Sequence, residues 1–274
     1  MSNLQVRVIS ALVLVAVILV PTWFGGFLFR LASAVIAGAI FYEWTQMARS
    51  AVSSIGPATN LLPQALMLVF ALALVADLPA WSLLLLLAAI VAATAIFSSM
   101  RGTGQWDAAG LAYAGLSGLS LALLRDSNHA GLVAVLFLFA VVWATDVFAY
   151  FVGRAVGGPK LAPSISPGKT RSGAVGGAVG GVVAGVLLAI LAGAGNIFTL
   201  ALVALVLSVV AQAGDLFESW VKRRHGRKDS GNLIPGHGGV MDRVDGLVAA
   251  AFALYLIGWM AASAEHPAQG LFPA

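Results

Sequence analysis

The sequence predicts an all-α, polytopic integral membrane protein of about nine transmembrane helices, and three observations carry that prediction. Of 274 residues, 60% are hydrophobic and only 9% are charged, a composition outside the range of soluble domains. Apolar runs long enough to cross a bilayer recur along the whole chain, so a soluble domain with a single anchor does not fit. The basic residues, assigned loop by loop, fall almost entirely on one side. A single membrane domain over 1–274 is expected, with no sizeable extramembrane part.

Requiring roughly 17–25 mainly apolar residues per helix places spans near 8–22, 26–47, 61–77, 80–98, 108–124, 130–152, 173–192, 197–217 and 245–263. Pro21 and Gly25-Gly26 split the first pair, and Asp77-Leu78-Pro79 splits the second. The opening MSNLQVR and the apolar run from Val8 resemble a signal peptide. Pro21-Thr-Trp-Phe24 stands where a small-residue cleavage site belongs, so this reads as a retained first span.

Nine spans put Arg7, Arg49, Arg101, Arg154, Lys160, Lys169, Arg171, Lys222, Arg223, Arg224, Arg227, Lys228 and Arg243 on one side, and only Arg30 and Arg125 on the other. Cytoplasmic loops carry the Lys and Arg excess. The N-terminus is therefore expected in the cytoplasm and the C-terminus outside. Loops 153–172 and 218–244 then share the cytoplasmic face, open to soluble nucleotides and metal ions. The absence of cysteine excludes disulfides and thiolate metal sites.

Residues 1–140 read mainly as scaffold. Glu43, near the cytoplasmic end of the second span, is expected to snorkel to the interface rather than to act in chemistry. Asp107 and Asp126 read as loop charges. In 173–185, Gly173, Gly177, Gly181 and Gly185 recur every four residues and give a helix a smooth stripe for close packing.

Three stretches carry polar residues at or inside span ends. In the first, Asp146 and Tyr150 share a helix face. An unpaired carboxylate about two turns inside a span costs about 2.5–3.5 kcal/mol, so Asp146 needs a compensating partner, whether a metal, a wet cavity or an ion pair with Arg154.

The second stretch, Ser164–Ser172, ends in Gly168-Lys169-Thr170. A Walker A loop would need glycine at position 163, and Pro163 stands there. What remains is a Ser/Thr-rich turn with Lys169 and Arg171 at a helix N-terminus, suited to an anionic ligand or simply to setting topology.

The third stretch, Gly214–Gly246, holds five of the eleven acidic and six of the fifteen basic residues. Asp215, Glu218 and Lys222 line one face as a helix leaves the membrane. Pro235-Gly236-His237-Gly238-Gly239 forms a loop whose backbone can close on phosphate oxygens. His237 could contact phosphate, act as an acid, or only hydrogen-bond within its loop. Asp242, Arg243 and Asp245 open the next helix, where carboxylates are ordinary dipole partners, whereas Asp215 at a helix C-terminal end is not. Convergent carboxylates beside Lys and Arg suit a hard divalent cation bridging to phosphates, with Mg²⁺ the natural candidate. No histidine pair has zinc-ligand spacing.

The run Ser219-Trp-Val-Lys222-Arg223, Lys228-Asp229 and Leu233-Ile-Pro235-Gly-His237-Gly-Gly-Val-Met-Asp242-Arg243-Val-Asp245 resembles the signature of phosphatidate cytidylyltransferases, the CDP-diacylglycerol synthases. Asp146-Val-Phe-Ala-Tyr150 and Ser166-Pro167-Gly168-Lys169-Thr170 resemble that family's other blocks. Residues 143–246 carry the resemblance and form the expected catalytic region. Gly168 stands where the family commonly has Lys, and Arg171-Ser172 where it often has an aromatic-acidic pair.

The resemblance implies transfer of the CMP moiety of CTP to phosphatidic acid in a bacterial-type inner membrane, with Mg²⁺, the number of cations left open. It also implies a homodimer and no nucleic-acid partner. Asp215 and Asp242 would hold the metal, with Asp146 and Asp245 completing or orienting its shell. Asp146, Lys169, Lys222 and Asp245 form the expected catalytic set. Ser166, Lys169, Thr170, Lys222, Arg223, Lys228, His237, Gly238, Gly239 and Arg243 would bind the phosphates of CTP or phosphatidate.

Two other functions compete. A CTP-dependent polyprenol or dolichol kinase would share the membrane setting and part of the CTP motif. An ion-coupled transporter would use Asp146 and Asp215 as ion ligands, but the polar residues gather at one face instead of the midplane. The CDP-alcohol phosphotransferase signature matches Asp242-x-x-Asp245-Gly246-x-x-Ala249 and then fails, because Ala250 stands where arginine is required.

Overall fold

The computed structural model describes residues 3–50, 61–101, 104–126, 128–236 and 238–272. Its helices are α1 (Asn3–Phe24), α2 (Gly26–Ser50), α3 (Leu61–Val75), α4 (Ala80–Arg101), α5 (Trp106–Arg125), α6 (His129–Val156), α7 (Arg171–Leu191), α8 (Ile197–Arg224) and α9 (Met241–Ala261). Among the described residues seven helices, α2 and α4 to α9, are long and apolar enough to cross a membrane. Two shorter apolar helices, Val13–Phe24 and α3, accompany them. The chain is a polytopic helical membrane protein.

Among the described residues the nine expected spans fall on nine α-helices, and the differences lie at the ends. Helix α6 runs to Val156 and α8 to Arg224, each beyond its apolar stretch, because Arg154 and Lys222 extend the helical face instead of ending it. The 153–172 loop gains order that hydropathy does not reveal. Strands β1 (Lys160–Ala162) and β2 (Ser166–Thr170) pair antiparallel, Lys160 opposite Thr170 and Ala162 opposite Ser166, with an irregularity between.

The chain forms two compact units, one from Met1–Ala122 with Arg224–Arg243, the other from Leu123–Arg223 with Val244–Ala274. In the first unit Phe41, Trp44, Phe70, Leu74, Leu111 and Leu119 are core residues. Gly118 lets α5 approach α2 closely, since a Cβ there would lie 2.8 Å from Ala37 Cβ and 3.1 Å from the Ser33 carbonyl oxygen. The Trp44 indole donates to the Trp106 carbonyl at 2.8 Å and ties α2 to the start of α5.

The second unit is organised by α7. Any Cβ on Gly173 or Gly177 would sit 2.7 Å from the carbonyl oxygens of Ala149 or Thr145, and one on Gly185 would meet Val141 of α6 and Ala204 of α8. The glycine stripe therefore beds α7 directly on the α6 backbone, which is the packing role its spacing suggests. Thr145 and Ser208 join α6 to α8 through their hydroxyls at 2.7 Å. At the far end Asp126 pairs with His266 at 2.8 Å, so it does more than sit in a loop, and the Phe272 ring packs 5.2 Å from Phe137.

Candidate functional site

Within the second unit, a groove of about 650 Å³ opens between α6, the hairpin, α7 and α8. Asp146, Tyr150 and Arg154, spaced four apart on α6, line one wall, because every fourth helical side chain returns to the same face. Lys160, Lys169 and Thr170 come from the hairpin, and Gln212 and Asp215 from α8. Lys169 forms an ion pair with Asp215, both about 30% exposed. Asp215 also accepts from the Ser219 hydroxyl at 3.4 Å.

Asp146 and Asp245 both interact electrostatically with Asp215 and Lys169, so three carboxylates and one ammonium share a neighbourhood. Small residues make this possible. A Cβ on Gly214 would lie 2.9 Å from the Asp245 carbonyl oxygen, and one on Gly246 would lie 3.0 Å from that of Ala211, so α8 and α9 cross closely beside both aspartates. The carboxylates are near enough to repel but are not gathered into a cage. Among the described residues no three His, Cys, Asp or Glu side chains form a metal-binding cluster.

The alternative partner for Asp146 does not form. Arg154 donates to the Tyr150 hydroxyl at 3.1 Å, and no salt bridge among the described residues joins it to Asp146. Thr170 caps α7, its hydroxyl accepting from Gly173 N at 3.1 Å. Ser166 begins β2 and does not line the groove. Arg223 donates to the Ile165 carbonyl at 3.3 Å and holds the hairpin tip to α8. Lys222 is only 12% exposed and pairs at 2.6 Å with Glu218, which is fully buried.

The first unit holds the rest of the motif in a loop before α9. Asp242 accepts from Ser230 N at 3.0 Å, from the Ser230 hydroxyl at 2.9 Å and from Gly239 N at 2.9 Å, closing the loop on itself. Ile234 pairs with Gly238 as an isolated bridge. Asp229, Asn232, Pro235, Gly236, Gly238 and Arg243 line a second cavity of about 640 Å³. Gly236 and Gly238 have φ of 76° and 83°, a region glycine enters at little cost. Lys228 is exposed on the approach to this loop. His237 lies outside the described residues.

Glu43 departs from its expected place at the interface. It is 1% exposed and accepts from Val240 N at 2.9 Å, Met241 N at 2.8 Å and the Ser230 hydroxyl at 3.0 Å. A carboxylate that meets the orphan N–H groups at a helix start has no reason to reach for water. Glu43 caps α9 from α2 and shares Ser230 with Asp242. Hydropathy missed it because its donors lie almost 200 residues away. The available signal was an acidic residue placed among apolar neighbours.

Beside this loop His225 rests edge-on against the Trp106 ring at 4.8 Å, with Arg224 also over that ring. Burial, then the charges of Arg224 and Arg227, lower the His225 pKa and favour the neutral imidazole.

Fold and groove together define a class: a helical membrane protein that gathers carboxylates, cations and glycine-rich backbone at the ends of its spans. Residues 5–261 match the Cytidylyltransferase family. The chain is 50% identical over 274 residues, 99% of both chains, to the phosphatidate cytidylyltransferase of Brucella suis biovar 1 (strain 1330). It is 36% identical over 279 residues to that of Haemophilus influenzae (strain ATCC 51907 / DSM 11121 / KW20 / Rd), covering 90% of this chain and 96% of the relative. The chain belongs to the phosphatidate cytidylyltransferase family.

Proposed function

We propose that the protein works as its family does, as a nucleotidyltransferase of phospholipid biosynthesis that makes CDP-diacylglycerol from CTP and phosphatidic acid. A phosphate oxygen of the lipid attacks the α-phosphorus of CTP, a new P–O bond forms, the bond to the β-phosphate breaks and pyrophosphate leaves. Two polyanions must be brought together, so catalysis rests on positioning and charge neutralisation. The observation that carries this reading is the groove lined by Asp146, Lys169 and Asp215, with Lys169 ion-paired to Asp215 and Asp245 within electrostatic reach of both.

Mg²⁺ fits this donor set. It takes oxygen ligands, keeps several waters and needs only one or two carboxylates once substrate phosphates supply the rest, so the lack of a preformed cage is no obstacle. Asp215 and Asp146 would hold it, with Asp245 beside them. The ion would neutralise phosphate charge and polarise the α-phosphoryl group. Lys169, ion-paired with Asp215, would hold a substrate phosphate beside these carboxylates. Tyr150, with Arg154 on its hydroxyl, shapes the wall opposite.

In the first unit Arg243 and the backbone of Gly236, Gly238 and Gly239 offer an anion-binding loop that Asp242 and Glu43 hold in shape. A metal role for Asp242 is carried by the resemblance alone. Lys222, engaged by Glu218, is assigned to charge balance inside α8, with phosphate binding left to the more exposed Arg223 and Lys228. The active face is proposed to be cytoplasmic, on the asymmetry of Lys and Arg, and the working form to be a homodimer in a single membrane domain.

The test is substrate-dependent release of pyrophosphate from CTP by the purified full-length protein. Phosphatidic acid should gain a CMP unit. A lipid that gains only one phosphate would make the protein a kinase, and CTP turnover absent with every lipid acceptor would remove the enzyme reading.

A further inference from the structure

The groove holds two cations that the reaction outlined above does not use. Lys169 is neutralised by Asp215, whereas Arg154 and Lys160 have no carboxylate partner among the described residues. Both are exposed, and both line the groove. The backbone segments that carry them are tied together. Gly157 ends α6 with its N–H on the Gly153 carbonyl at 3.1 Å, and the Ser172 hydroxyl donates to the Gly157 carbonyl. Arg171 N donates to the Pro159 carbonyl at 2.9 Å, just before Lys160 enters the hairpin. Tyr150 steadies Arg154 from one turn below.

Their depth identifies the source of the anion. Helix α6 has 28 residues, about 42 Å at 1.5 Å per residue, against a hydrocarbon core of about 30 Å. Its last turn, where Arg154 stands, therefore reaches the level of lipid headgroups. Immediately below, Val147, Phe148 and Phe151 are 49–63% exposed on α6. They form an apolar surface on which acyl chains can lie while the headgroup turns into the groove. A phosphate monoester carries close to two negative charges at neutral pH, and two cations match it.

Resting on the reading of the reaction above, we propose that Arg154 and Lys160 form the cradle for the phosphate of the acceptor lipid. They leave Lys169 and the carboxylates to the nucleotide side, and they make the groove selective for a lipid ending in a phosphate monoester.

The test uses the full-length protein in mixed micelles of detergent and phosphatidate with CTP and Mg²⁺. For Arg154→Gln and Lys160→Gln the KM for phosphatidate rises about tenfold each, and for the double variant about a hundredfold, as charge-assisted bonds to phosphate are lost. The KM for CTP changes less than about twofold. Arg154→Lys combined with Lys160→Arg restores both charges and recovers most of the loss. A rise in the KM for CTP with that for phosphatidate unchanged assigns the pair to nucleotide phosphate and overturns the proposal, as do unchanged constants for both.

A binding measurement without CTP separates this proposal from the reaction reading. Energy transfer from the native tryptophans to a fluorescent phosphatidate should be strong for the wild type and weak for the double variant. Fluorescent diacylglycerol should give little signal with either. Equal transfer to the phosphate-free lipid overturns the cradle even in an active enzyme. Phosphate-selective binding that requires the pair, in a protein that releases no pyrophosphate from CTP, upholds the cradle and removes the reaction reading instead.

Discussion

Two sets of carboxylates sit at span ends in this chain and spend their oxygens differently. Glu43 and Asp242, in the first unit, accept from backbone N–H groups and from one buried serine hydroxyl. Asp146, Asp215 and Asp245, in the second, receive few such bonds and lie within electrostatic reach of one another and of Lys169, which pairs with Asp215. The oxygens of the first set already serve donors that could not otherwise be satisfied. The second set has one lysine for three carboxylates, and that imbalance is why the cation and the polyanion are proposed to bind there. Proximity in the signature sequence does not separate Asp242 from Asp245. Their bonding does.

This contrast can be broken by substitution, with the largest effect at Asp215. Asp215→Asn keeps the size of the side chain and removes the charge. CDP-diacylglycerol formation should fall by about a hundredfold or more, the scale on which a lost electrostatic stabiliser acts, while the thermal unfolding midpoint in detergent stays near that of the wild type. Glu43→Ala should show the opposite profile. It strips partners from Val240 N, Met241 N and Ser230, and unmet buried donors cost about 1–3 kcal/mol each. The midpoint should therefore drop clearly, with lost activity following lost folded protein. A fully stable Glu43→Ala would remove the structural assignment.

Smaller effects sharpen the picture. Thr170→Ala deletes the cap of α7, worth about 1 kcal/mol, and should loosen the hairpin carrying Lys169, seen as faster amide exchange over 160–173. The smallest effect is at His225. Its folded pKa lies below the unfolded value of about 6.5, so the unfolded state takes up protons first as pH falls. Stability should then be full above that pH and decline as acid carries the solution below it. His225→Gln should flatten the part of a melting-temperature profile below about pH 6.5 that this residue contributes.

Much of the fold was legible because a bilayer imposes length and apolarity on every span, and those are properties of local sequence. The helices therefore appear where the apolar runs are, and the glycine stripe packs as its spacing suggests. The hairpin at 160–170 was not legible. It is short, contains Pro163 and Pro167, and lacks the alternation that marks a half-buried strand. In the site, Asp146, Lys169 and Asp215 stood out as charges with no local excuse, and the groove unites them. Arg154 was read as a possible counter-ion for Asp146, a role it does not fill. Lys222 is expected from the sequence to bind phosphate, and the burial of its partner Glu218, one turn earlier, is a tertiary fact that the spacing does not announce. Glu43 was missed because tertiary hydrogen bonds leave no periodic trace in sequence.

The central claim is that the chemistry belongs to the second unit's groove, and one measurement reaches it most directly. Asp215→Asn and the wild type are purified side by side and assayed for pyrophosphate release and CDP-diacylglycerol formation from CTP and phosphatidate across a Mg²⁺ titration. The account predicts a folded variant whose rate stays at least about a hundredfold down at every Mg²⁺ concentration. A folded variant that approaches the wild-type rate at ordinary Mg²⁺ would contradict it.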